Sequence, residues 1–299
     1  MPPLHPQKTR LDLKAMAILL VLCALWGGNM AAIKISNQGM EPIFTAGLRS
    51  AGAALLMLLW ILWKKEPLFP PSFKKIHALM VGIFFGLEFC FIYLAQRYTL
   101  ATRSYIFLYT HPFWVALGAH YLIPGDRMTW GRFIGLVLAF LGLVFAFSEG
   151  LAQVSGLIFF GDFLIVLAAL GWAATTLYIK HFLIRKCSPF QTLLYQLLFS
   201  APVLFLISFF MEKEFIRYLD TGILLSFFFQ TVIVAFLSYW AWFYLIHIYP
   251  VTSLAAFSFL TPIFGVFISS LILQEPITLY LLSSLGLIST GIYLVNKGR

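Results

Sequence analysis

Trp26-Gly27-Gly28-Asn29-Met30-Ala31-Ala32-Ile33-Lys34 and Trp172-Ala173-Ala174-Thr175-Thr176-Leu177-Tyr178-Ile179-Lys180 are one phrase written twice. In each copy a Trp precedes a Lys by eight residues at the end of an apolar segment. A second echo lies further along each half. Thr110-His111-Pro112 comes before Asp126-Arg127-Met128-Thr129, and Leu260-Thr261-Pro262 before Glu275-Pro276-Ile277-Thr278. The offset is about 146 residues for the first echo and about 150 for the second, so the halves read as duplicates.

Composition says where such a duplicate lives. Of 299 residues, 61% are hydrophobic and 10% charged, and the mean hydropathy is +0.93. A soluble domain of this length does not need so much apolar surface. A bilayer core about 30 Å thick is crossed by roughly 20 apolar helical residues. Backbone groups in lipid must bond within their own segment, so the apolar runs are helices. Ten spans are predicted: Lys14 to Ile35, Pro42 to Trp63, Lys75 to Gln96, Arg103 to Leu122, Trp130 to Phe147, Gly156 to Tyr178, Pro189 to Phe210, Thr221 to Leu245, Val251 to Leu273, and Ile277 to Asn296. Five fall in each half, and an odd number of crossings makes the second copy enter from the opposite side. The expected fold is therefore an all-α membrane protein of ten transmembrane helices in two inverted five-helix repeats, residues 14–148 and 156–296, behind a tail of residues 1–13. In membrane proteins such duplication marks transporters, with the binding site at the repeat interface.

Sidedness follows the basic residues. With the N-terminus inside, the stretches Lys8 to Lys14, Lys64 to Lys75, Arg127 to Arg132, Lys180 to Lys186 and the C-terminus collect 14 of the 20 Lys and Arg. Arg49 is among the six left over. Both termini are expected to be cytoplasmic, and this asymmetry explains the net charge of +9 without nucleic acid. The run after Lys14 is long enough to span and is not closed by a small-x-small cleavage site, so it stays as the first helix. Cys23, Cys90 and Cys187 have no metal spacing; the first two read as packing residues and Cys187 as an exposed loop thiol.

Several polar residues fall inside the spans. Glu88 lies mid-helix among Phe84, Phe85, Phe89 and Phe91. An ionised carboxylate there costs about 2.5 to 3.5 kcal/mol on insertion scales, so it faces a wet cavity, pairs, or is protonated. It is read as a substrate-amine ligand or coupling acid, or else as a protonated carboxyl bonded to a neighbouring helix. Gln96 is two turns on and about the same side. Pro112, after His111, frees the carbonyl of Leu108, and Pro262 frees that of Ser258. Trp26 with Asn29, and Trp172 with Thr175 and Thr176, put an aromatic wall beside polar groups, or simply pack helices through Gly27, Gly28, Ala173 and Ala174. Tyr109, Gln230, Ser238, Ser258 and Thr261 are further pathway candidates, as are Tyr105, Tyr239 and Trp240. Lys34 and Lys180 end their helices as snorkelling anchors or as gate charges. Asp162 is a second possible coupling acid, with Lys34 or Arg103 as its partner. Gly82 and Gly86, like Gly131 and Gly135, have the spacing of close helix packing, leaving monomer or homodimer open.

The chain resembles the EamA type of the drug/metabolite transporter superfamily. The resemblance is carried by Leu25-Trp26-Gly27 with Lys34, Gly156 followed by Gly161-Asp162 and Trp172-Ala173, the prolines Pro112 and Pro262, and Glu275 with Thr278 before the last helix. It covers nearly the whole chain. His111, Asp126 and Arg103 depart from the family pattern. The resemblance implies a cavity lined by the first, third, fourth, sixth, eighth and ninth helices. It also implies export of amino acids or related metabolites from a bacterial cytoplasm across the inner membrane, or, in more distant branches, carriage of nucleotide-linked and phosphorylated sugars.

Three classes of function are distinguished by what they need. A carrier working by alternating access needs intramembrane polar positions and a small-molecule substrate. An intramembrane enzyme needs clustered acids or ligand-spaced His and Glu, and the sequence has no H-E-x-x-H, D-x-x-D or Gly-rich phosphate loop. A receptor more naturally carries long loops. The reading is a carrier, with no catalytic residue, metal or cofactor expected. Cationic drugs remain an alternative cargo, and proton coupling, exchange and facilitated diffusion remain open.

Overall fold

Helix ends follow the punctuation of the sequence. The computed structural model describes residues 8–70, 73–95, 98–99, 101–148, 151, 155–273 and 279–297. Among them there is no strand, only an isolated bridge between Met40 and Ile216. The helices are α1 (Leu13–Gly39), α2 (Pro42–Trp63), α3 (Ile76–Ala95), α4 (Ala101–Leu108), α5 (His111–Leu122), α6 (Trp130–Ala146) and α7 (Gly156–Tyr178). After a π-helical turn, Ile179–Leu183, come α8 (Pro189–Met211) and α9 (Thr221–Phe228). A π-helical run, Phe229–Ser238, leads into α10 (Tyr239–Ile248), followed by α11 (Val251–Phe257), α12 (Leu260–Leu273) and α13 (Leu279–Lys297).

Among the described residues, seven helical stretches are long and apolar enough to cross a membrane: Leu13–Gly39, Pro42–Trp63, Ile76–Ala95, Gly156–Leu183, Pro189–Met211, Thr221–Ile248 and Val251–Ile268. Trp130–Ala146 is apolar but shorter. With the composition, these make the chain a multi-pass membrane protein. The span expected from Arg103 to Leu122 is interrupted ahead of Pro112, which separates α4 from α5, and Pro262 sits just inside α12 after the break from α11.

Local chemistry sets the starts. Ser188 and Gln191 form a capping box at α8: Gln191 N–H donates to Ser188 Oγ at 3.3 Å, and Ser188 N–H to Gln191 Oε1 at 2.8 Å. The first amides of α2 have no carbonyl behind them. The Glu212 carboxylate accepts them instead, from Ile43 at 2.8 Å and Phe44 at 2.9 Å, and also accepts from Ser208 Oγ at 2.7 Å.

The chain divides into two compact units that interleave its halves. One comprises Asn29–Cys90 and Tyr178–Ile248; the other comprises Lys8–Gly28, Phe91–Leu177 and the chain from Tyr249 through α13. Within the first, α2 packs along α8, and within the second, α6 along α13. Small residues permit both kinds of approach. A Cβ on Gly82 would stand 2.3 Å from Phe199, and one on Gly135 would stand 2.6 Å from the carbonyl oxygen of Gly291. These glycines are therefore occupied within the chain.

Three expectations are corrected here. Cys187 is buried rather than exposed, with its thiol pushed up to about 12 by desolvation; its carbonyl is bonded to His247 Nε2 at 3.0 Å. Lys180 does not snorkel. The π-helical turn carries it inward, where Nζ donates to the Ile246 carbonyl at 2.6 Å. The carbonyls ahead of the two prolines are also engaged. His111 Nδ1 lies 3.3 Å from Leu108 O, and the Thr261 amide donates to Ser258 O at 2.9 Å, because each helix tightens or caps itself at the break.

Candidate functional site

In the unit built from α2, α3 and α8 to α10, a polar cluster sits among aromatic rings. Glu88 is buried near the middle of α3. Opposite it is Arg49 of α2, which is 1% exposed. The Arg49 guanidinium lies 4.5 Å from the Phe89 ring centroid and 5.8 Å from that of Tyr239. Among the described residues its Nε, Nη1 and Nη2 make no hydrogen bond of ordinary geometry. Glu88 and Tyr239 are its polar neighbours, and Glu88 stays beyond ion-pair distance. Phe85 packs against Phe89 at 4.6 Å and edge-on to Tyr239 at 6.0 Å. The result is one cation and one acid, each with hydrogen-bonding capacity to spare, walled by three rings.

Gln230 of the π-helical run serves this same unit structurally. Its Nε2 donates to Ala32 O at 3.2 Å and Ser36 Oγ at 3.0 Å, tying the run to α1. Ser238 Oγ bonds its own helix at Val234 O, 2.6 Å. Asn29 is buried with no partner for Oδ1 among the described residues.

The other unit gathers a second constellation. His111 stacks on Trp172 at 3.8 Å with an interplanar angle of 11°. Tyr109 and Trp26 meet the same Trp172 edge-on, at 6.0 Å and 6.3 Å. Ser258 Oγ lies 3.1 Å from His111 Nε2. The two echoes in the sequence thus converge: both Trp residues touch, and the residue before Pro112 bonds the stretch before Pro262. Gly27 approaches α12 so closely that a Cβ would stand 2.5 Å from Gly265 N. Thr175 Oγ1 returns to Gly171 O at 2.9 Å, and Thr176 is buried.

Asp162 has found its partner. Arg103 Nη2 and Nε both reach its carboxylate, Nε at 3.1 Å and 3.2 Å, and Thr99 Oγ1 donates at 2.6 Å. This fork resolves the choice between Lys34 and Arg103, and it holds Asp162 as a fully bonded anion rather than a group free to accept substrate. Gln96, Glu275, Thr278 and the Lys34 side chain lie outside the described residues. Among the described residues no group of three His, Cys, Asp or Glu could hold a metal.

Arg49 is the residue that sequence reading missed as part of a site. The signal was available, since an arginine eight positions into an apolar span must face protein or water.

The sequence profile of the EamA-like transporter family matches residues 13–148 and again 159–297. An uncharacterized transporter of Archaeoglobus fulgidus is 25% identical over 289 residues, covering 95% of this chain and 97% of that protein. A probable amino-acid metabolite efflux pump of Salmonella typhimurium is 26% identical over 292 residues, covering 93% of each. A protein of the same description from Escherichia coli is 23% identical over 291 residues, again covering 93% of each. One solved crystal structure superposes with a TM-score of 0.81 over 94% of this chain and 96% of its own at 14% identity, a likeness of fold alone. With its family profile matched twice and across nearly its whole length, the chain belongs to the EamA-like transporter family.

Proposed function

We propose that this protein is a secondary carrier that exports amino acids or closely related metabolites across a bacterial cytoplasmic membrane by alternating access. The observation that carries this reading is the pair of Arg49 and Glu88, buried together without bonding each other. A guanidinium met only by ring faces and a poorly aligned Tyr239 hydroxyl is costly to bury, by several kcal/mol after relaxation. That cost is offset when a visiting carboxylate takes the fork and a visiting ammonium takes Glu88. Phe85, Phe89 and Tyr239 then supply an apolar wall for the remainder of an amphipathic molecule. A cationic drug would engage Glu88 and leave Arg49 unanswered, so a zwitterion suits the pair better. The names of the Salmonella and Escherichia relatives support the same substrate class.

The architecture we infer is ten spans in two inverted five-helix repeats, residues 14–148 and 156–296, with both termini cytoplasmic. The twofold family match and the recurring Trp-to-Lys phrase support it. In this scheme Trp26, Tyr109, His111, Trp172 and Ser258 form a hinge region in which proline breaks and stacked rings rearrange between inward-open and outward-open states. Glu88 is the acid available for proton coupling, because Asp162 is committed to Arg103.

The test is release from proteoliposomes loaded with a mixed pool of amino acids and small metabolites, followed by mass spectrometry with and without a pH gradient. Selective loss of amino acids supports the proposal. Loss of phosphorylated or nucleotide-linked sugars instead, or no selective loss from folded protein, contradicts it.

A further inference from the structure

Arg132 stands in the first turn of α6, 1% exposed, with half of its guanidinium unspent. Nη1 donates to Asp126 Oδ1 at 2.9 Å and to the Arg127 carbonyl at 2.7 Å. Nε and Nη2 make no hydrogen bond among the described residues. Their N–H groups share one edge of the guanidinium, the edge that grips an oxyanion with two parallel bonds. Arg103 fills that same edge with Asp162. In Arg132 it is unfilled.

Arg132 also lines an open depression of about 660 Å³, together with Thr9, Arg10, Gly125, Arg127 and Thr129. Three arginines therefore border one hollow. Arg10 and Arg127 have no acidic partner among the described residues. The nearby acids are committed elsewhere. Asp126 is held by Arg132 and by the Thr252 amide at 3.2 Å, and Asp12 by Lys8, the Ala15 amide and the Tyr249 hydroxyl. The hollow also abuts the N-terminus of the 17-residue α6, whose first-turn amides and dipole add positive potential.

We propose that this depression binds a phosphate group, carried either by an anionic phospholipid head or by a free phosphate. The exposed Arg10 and Arg127 meet the phosphate first, and the unfilled edge of Arg132, which is closed off from solvent in this structure, turns to two oxygens as the group seats. With Asp126 already answering one of the three guanidiniums, about two positive charges remain; a free phosphate brings about two negative charges to meet them, and a phosphodiester head brings one. The inference does not depend on what the protein carries.

Two probes separate the sources in the purified full-length protein. Inorganic phosphate is titrated in detergent, and phospholipid retained by the protein is counted by native mass spectrometry after exchange into phosphatidylglycerol or phosphatidylcholine. The variants are Arg10→Gln/Arg127→Gln, which changes exposed residues, and Arg132→Lys, which keeps a cation for Asp126 but removes the fork. Phosphate binding weakened about tenfold or more in both variants assigns a free phosphate. Retained phosphatidylglycerol that is lost in both variants, with phosphatidylcholine indifferent, assigns a lipid head. Wild type and variants that behave alike toward both probes overturn the site. Should the double variant fail to fold, Arg132→Lys decides by the same readings.

Discussion

The two compact units treat a buried arginine in opposite ways. In the unit containing α4 to α7, Arg103 is forked onto Asp162, which Thr99 also supports. In the unit containing α2, α3 and α10, Arg49 is as deeply buried, yet its nitrogens make no ordinary hydrogen bond and rings surround it. Low-dielectric surroundings make each missing bond expensive. A fully answered pair belongs to the scaffold, whereas an unanswered cation beside an unanswered acid is where binding free energy remains to be gained. On the function proposed above, the difference separates scaffold from binding site.

Four substitutions probe that contrast. The largest effect is expected at Asp162→Ala, which strands the Arg103 charge and should destabilise the protein by about 3 to 5 kcal/mol in reversible unfolding. Equal stability would show the fork to be dispensable. Arg49→Gln should leave stability unchanged or raised, because it removes a buried charge met only by ring faces, a poorly aligned hydroxyl and an acid beyond ion-pair distance, while lowering transport about a hundredfold, or roughly 2.7 kcal/mol. A variant that unfolds instead would move Arg49 into the scaffold class. Glu88→Gln is expected to lower transport about tenfold and flatten its dependence on pH, since it removes the one uncommitted acid of the cluster while keeping its shape. Full activity with an unchanged pH profile would end its coupling role. The smallest effect is assigned to Ser188→Ala, which breaks the capping box of α8 for about 1 kcal/mol with flux per folded molecule unaltered. A loss of flux there would tie that helix start to the transport cycle.

Much of the fold was legible in the sequence because its signals are local. Apolar run length and the two proline breaks act within a few residues of where they are read. The repeated phrase was legible for the same reason, and the meeting of Trp26 with Trp172 gives it a physical purpose. Glu88 stood out because a carboxylate in an apolar span is costly wherever it points. Pairings between distant segments were not legible. Nothing in one sequence chooses Arg103 over Lys34 for Asp162, or turns Lys180 inward to the Ile246 carbonyl. Arg49 is hidden by its own chemistry: in the sequence it is one more basic residue, and only its neighbours show a buried guanidinium set against ring faces beside an acid it does not pair with. Cys187 was misplaced because a short loop between two helices was read as exposed, whereas it is folded under His247.

The most direct test of the central claim is competition against export in proteoliposomes, using whichever amino acid the wild type releases. An amine analogue lacking the carboxylate and a carboxylic acid lacking the amine are compared in wild type and in Arg49→Gln. If Arg49 receives the carboxylate, the intact amino acid should compete far better than its amine in the wild type, and that preference should vanish in Arg49→Gln. A preference for the carboxylate that survives in the variant would contradict the account and place substrate recognition elsewhere in the protein.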